Sequence, residues 1–166
     1  MPTLLRLDEG GVRLSVDEWT TVGGGDDVSP GPVIVTLERF AEEADSLLAS
    51  NRKVGVLLRP DQNVEDLAYD LPRVSLVALE FPKFTDGRAF SAAAPLRERY
   101  GFTGEVRAVG AVLREQAIEM VRCGINAFEP SDGSTAEDWE AVLRRRRRVY
   151  QTAADGRAPA WAERAA

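Results

Sequence analysis

The chain has no histidine and only one cysteine, Cys123. The first absence removes the side chain most often used as a general base near neutral pH and as a metal ligand. The second excludes an intrachain disulfide, argues against a zinc or iron–sulfur site built by this chain alone, and points to a cytoplasmic location. Long hydrophobic runs are missing as well. No stretch approaches the roughly 20 apolar residues of a membrane span, and Met1-Pro2-Thr3-Leu4-Leu5-Arg6-Leu7-Asp8 has no signal-peptide layout. Positive charge is in deficit: 21 Lys and Arg against 27 Asp and Glu leave a net charge of −6. Such a chain lacks the basic face that nucleic-acid binding requires. No Gly-x-Gly-x-x-Gly follows a strand and no cysteine cluster occurs, so no resident cofactor is expected.

What is present suits a globular protein of 166 residues, 44% hydrophobic and 29% charged. That length supports one domain with a real core. Residues 1–32 read as a β-hairpin and a loop packed on the domain. Leu4, Leu5 and Leu7 precede Asp8-Glu9-Gly10-Gly11, and Val12, Leu14 and Val16 alternate with polar residues. Gly23 to Pro32 is an exposed connection, and Asp26-Asp27 after its glycines would repel phosphate. Residues 33–151 form the α/β domain. Leu37, Phe40, Ala41, Ala44, Leu47 and Leu48 mark a helix with Thr36 as its N-cap. Short apolar runs at 54–58, 74–81, 105–109 and 125–128 are strands alternating with helical stripes. The last helix opens at Ser134 with Glu137 as a capping box, and buries Trp139, Val142, Leu143, Val149 and Tyr150. Residues 152–166 are an Ala-rich, charged tail expected to fray.

Four successive βα units with near-continuous apolar strands predict a parallel sheet covered by helices. Either an open doubly wound sheet or half of a (βα) barrel fits, and a half barrel could complete itself as a homodimer. In both, ligands bind beyond the carboxyl ends of the strands. That rule selects Glu80, Lys83, Thr85, Asp86, Gly87 and Arg88 after one strand, Arg107 and Gly110 near the end of the next, and Glu129 after the last. Lys83, Arg88 and Arg107, with Arg59, would suit an anionic small molecule with several oxygens. Helix N-termini near Gly87, Gly110 and Ser134 would add N–H donors. Glu80 and Glu129 are the candidate catalytic acid and base. The bland readings are a turn at Asp86-Gly87, an ion-pair cluster around Glu80, and a packing role for Cys123. Arg144 to Arg148 read as a solvated helix end in the favourable direction for the macrodipole, with docking on an acidic partner or RNA as the alternative.

Three blocks, "ALEFPKFTDGRAFS", "LRERYGFTGEVRAVG" and "VLREQAIEMVRCG" with "INAFEP", resemble a bacterial family of uncharacterised proteins labelled as oxidoreductases of sulfite reduction. The resemblance covers residues 33 to 130. It implies a role beside sulfite reductase, as an accessory protein that binds an oxyanion or docks on the reductase. The alternatives are a small (βα) enzyme acting on a phosphorylated or sulfated metabolite, and a non-catalytic interaction module. The family usually carries an acid where this chain has Ala111, and an Asp where it has Glu115.

Overall fold

The computed structural model describes residues 3–28, 30–49, 51–145 and 148–163. Strands β1 (Leu4–Asp8) and β2 (Gly11–Ser15) form the expected hairpin. The remaining strands are β3 (Thr20–Val22), β4 (Val33–Thr36), β5 (Val54–Leu58), β6 (Leu76–Phe81), β7 (Glu105–Gly110) and β8 (Ala127–Phe128). All eight join in one sheet, in the order β2-β1-β8-β7-β6-β5-β4-β3. Strands β3 to β8 are parallel to their neighbours, and the hairpin adds to β8 antiparallel.

The order of the parallel strands follows the chain without a reversal, so no topological switch point exists. Right-handed crossovers stepping always in one direction place their helices on one face. This selects the half-barrel arrangement over the doubly wound one. The strand residues show it directly. Val33, Val35, Val54, Val56, Val77, Leu79, Val106 and Ala108 belong to the main core. That core also takes in Phe40 of helix α1 (Leu37–Ala49), Ala93 and Leu96 of α2 (Arg88–Glu98), Met120 of α3 (Ala117–Arg122) and Trp139 of α4 (Ala136–Arg145). The alternate residues Ile34, Leu76 and Ala78 form a second, small cluster on the open face, beneath Trp19.

Several expectations are corrected. The sheet is larger than four units, because Thr20–Val22 and Val33–Thr36 are also strands. Each is too short to show a period. Between β5 and β6 the chain makes two turns of 3-10 helix, Val64–Leu67 and Leu71–Arg73, which the sequence analysis does not specify. Pro95 lies inside α2, whose first residue is Arg88. The proline has no N–H, and the carbonyl it leaves belongs to exposed Ser91. The capping box at α4 is Thr135 with Asp138: each backbone N–H meets the other's side chain. Tyr150 is exposed and does not continue the α4 stripe, which ends before Val149 because the helix stops first. The described part of the tail is fastened. Arg122 donates to Asp155 and to the Gln151 carbonyl, and Ala160 at the start of α5 (Ala160–Glu163) is buried. Of the arginine run, Arg144 pairs with Glu140, while 146 and 147 lie outside the described residues. No described helix is long and apolar enough to cross a membrane.

Candidate functional site

The rim segment after β6 is a built turn. Asp86 N–H donates to the Lys83 carbonyl at 3.0 Å. The Asp86 carboxylate then caps α2: it accepts from the Arg88 backbone N–H and, as an ion pair, from the Arg88 guanidinium at 3.0 and 2.7 Å. Those bonds hold the Asp86 carboxyl down to about 2, below its ordinary 3.8, with Lys83 adding a small pull. Across the turn, Gln116 Nε2 donates to the Phe84 carbonyl at 3.1 Å. Pro82, Lys83, Phe84 and Thr85 are exposed on this pinned backbone, Phe84 by 49%. Gly87 is the residue before the helix.

Gly110 closes the same rim one strand over. Its φ is +91°, and an added Cβ would lie 2.5 Å from the Phe81 carbonyl oxygen. That oxygen accepts from Ala111 N–H at 2.6 Å. Glycine is needed here so that the chain can bend back over the end of β6. A turn of 3-10 helix and only then α3 follow, so Gly110 does not open a helix.

Arg107 lies elsewhere. It points to the open face of β7, with no exposed surface, and is enclosed by carboxylates. Asp17 receives two of its hydrogen bonds at 2.9 and 3.2 Å, Glu129 one at 3.0 Å, and Glu105 one from Nε at 2.8 Å, with Nη2 in ion-pair contact with the same oxygen at 2.8 Å. Arg6 joins from β1, donating to Glu105 at 2.9 Å and to Ser15. Burial works against the Arg107 charge, but Asp17 and Glu105 outweigh it and the pKa rises. Glu129 goes up from the usual carboxylate value. Burial is the main cause, Arg107 opposes it, and Asp17 and Glu105 add repulsion. Three carboxylates share two guanidinium groups, so the cluster holds surplus negative charge.

The predicted residues therefore divide into two places. Lys83, Thr85, Asp86, Gly87, Arg88 and Gly110 share the rim. Arg107 and Glu129 belong to the open-face cluster. Glu80 lies on the rim between them, beside a small recess shared with Arg59 and Arg88. Lys83, Arg88 and Arg107 do not gather into one electropositive hollow, because Arg88 and Arg107 are each turned to a carboxylate. The helix starts are filled in the same way: Asp86 takes the Arg88 N–H, Asp132 the Ser134 N–H and Asp138 the Thr135 N–H. Arg59, too, lies 3.5 Å from Glu38. Cys123 is half-buried at the end of α3, and burial, with Glu98 and Glu119, pushes its thiol up.

Sequence reasoning missed Asp17 and Glu105. Glu105 could have been found, since residues two apart on a strand share a face with Arg107. Asp17, ninety positions away in a loop, left no signal.

A family profile described as "Bacterial protein of unknown function (DUF934)" matches residues 55–161. The chain belongs to that family. No curated protein matches it. The matched span includes β5 from Gly55 on, β6 to β8, the rim turn, Arg107 and Glu129, and omits Asp17 and Arg6.

Proposed function

We propose that this member of the DUF934 family is an accessory protein of assimilatory sulfite reduction that works by docking on the reductase through its strand-end rim. The link to sulfite reductase comes from the sequence resemblance. The choice of docking over oxyanion binding is supported by one observation: an apolar side chain, Phe84, stands exposed on a backbone held from both sides, while the neighbouring cation Arg88 is committed to Asp86. A fixed aromatic anchor binds with little loss of conformational freedom. An oxyanion at the start of α2 would have to displace Asp86 first.

The test is binding of the purified protein to sulfite reductase by calorimetry. A hot-spot aromatic contributes at least about 2 kcal/mol, so Phe84→Ala should weaken binding about 30-fold. Undiminished binding by that variant refutes the rim as the contact. Absence of binding by the unaltered protein refutes the reading itself.

Glu129 favours a second reading, a small enzyme for an oxyanion-bearing metabolite. Its raised pKa on the open face suits a general acid. A thermal-shift screen with sulfite, sulfate, phosphate and nucleotides decides it. A true ligand at 100 times its Kd stabilises the fold by roughly 2.7 kcal/mol, and no shift from any of them removes this reading.

A further inference from the structure

Two aromatic rings stand out from the carboxy-terminal segment, Tyr150 at 76% and Trp161 at 68% exposed. The backbone beneath them is held. Val149 and Ala160, the residues just before them, are buried, and the Ala160 N–H donates to the Val149 carbonyl at 2.7 Å. On the other side of Tyr150, the Gln151 carbonyl accepts from Arg122, which also pairs with Asp155. The two rings therefore leave the surface from adjacent, tethered points. Among the described residues neither takes part in a ring contact or lies under a cation.

The same end of the molecule carries uncommitted positive charge. Arg144, Arg145 and Arg148 are exposed, and Arg148 lies two residues before Tyr150. Arg144 pairs with Glu140 through Nε, while among the described residues Arg145 and Arg148 form no ion pair. Elsewhere exposed arginines are neutralised by acids, as Arg73 is by Asp45 and Asp70 and Arg99 by Glu65. The deficit of positive charge in the whole chain thus does not hold at this end. Screening in physiological salt acts over about 8 Å, so a ligand here meets the local sign of charge and not the net one.

We propose that this end binds single-stranded nucleic acid, with bases stacked on Tyr150 and Trp161 and phosphates met by Arg145 and Arg148. Aromatic platforms beside cations hold single strands without reading their sequence, because every base has a face to stack. An acidic protein segment would satisfy the arginines and leave the rings bare. A duplex keeps its bases inside and has none to offer the rings.

Fluorescence anisotropy with labelled oligo-uridine and oligo-thymidine tests the site, with circular dichroism confirming the fold of each variant. Both strands should bind in low salt, and a duplex of the same length should bind more weakly. Arg145→Ala and Arg148→Ala should each reduce the salt slope of the affinity by about 0.7. Tyr150→Ala and Trp161→Ala should each weaken binding about fivefold or more, the loss of one stacked base, with the slope unchanged. Several results would overturn the proposal: no binding of either strand in low salt, aromatic variants that bind as the parent does, a duplex bound as tightly as the single strands, or a polyglutamate peptide bound with the same dependence on Tyr150 and Trp161.

Discussion

Asp86 shows what a polar burst at a strand end can be for. The sequence "KFTDGR" offers two cations to an incoming anion, yet one acid of the same segment has taken the place of that anion. The carboxylate fills the first turn of α2 and neutralises Arg88 in a single gesture of geometry. Its pKa of about 2 lies below the ordinary 3.8, so the interaction stabilises the fold fully above pH 3.8 and is lost as pH falls towards 2. Asp86→Asn keeps a capping oxygen but loses the charge. Thermal melts across pH should therefore show this variant melting below the parent at pH 6, with the two curves merging near pH 2. A constant gap at all pH values would mean that the ion pair contributes nothing.

At the scale of elements, Arg97 explains why "LRERYGFTGEVR" and "RCG" read as one constellation despite their distance in sequence. From the last turn of α2 its guanidinium donates to the carbonyls of Phe102 (2.6 Å), Gly104 (2.8 Å) and Gly124 (2.9 Å). It ties the turn before β7 to the turn before β8. Gly124 has φ +92°, and an added Cβ would meet the Arg97 side chain, so glycine and arginine fit as a pair. Arg97→Ala leaves carbonyls unpaired and should cost about 3 kcal/mol, read from denaturant melts. Arg97→Lys should recover little, because a point charge cannot serve three carbonyls through a planar fork. Full recovery by lysine would show that charge alone matters.

The same scale separates what was legible from what was not. Strands β5 to β7 and helices α1, α2 and α4 announce themselves through period and caps, because each is long enough to repeat its pattern. Strands β3 and β4 have three and four residues and lack that room. Where the loops converge on a rim was legible, since the strand order of a parallel sheet fixes that place, but Arg107 and Glu129 lie off it. The side-chain partners were not, because a cation near acids in sequence can turn either way, and only tertiary packing chose Asp17 for Arg107.

The whole molecule raises a sharper question, which is whether the family-matched span 55–161 is a folding unit. Its residues hold the rim and most of the helices, yet its core is finished from outside. Leu5 and Arg6 of β1 pair with Phe128 and Ala127, covering the outer edge of β8. On the other side, β4 pairs with β5. The decisive loss is electrostatic. Without residues 1–54, Arg107 loses Asp17, Glu105 loses Arg6, and Trp19 no longer covers Leu76 and Ala78. Breaking one partner out of a buried ion cluster typically costs about 3–5 kcal/mol. A domain of this size has roughly 5–15 kcal/mol in total, and here the loss is added to two newly exposed sheet edges. We expect a fragment of residues 55–161 to lack a cooperative melt and to exchange its β5 and β8 amides rapidly, while residues 3–163 melt in one step. A cooperative transition in the fragment would mean that the amino-terminal strands are an attachment to an already complete half barrel. A fragment without a cooperative melt, its β5 and β8 amides exchanging rapidly, would instead place those strands inside the fold, with Asp17 as the residue that locks them to Arg107.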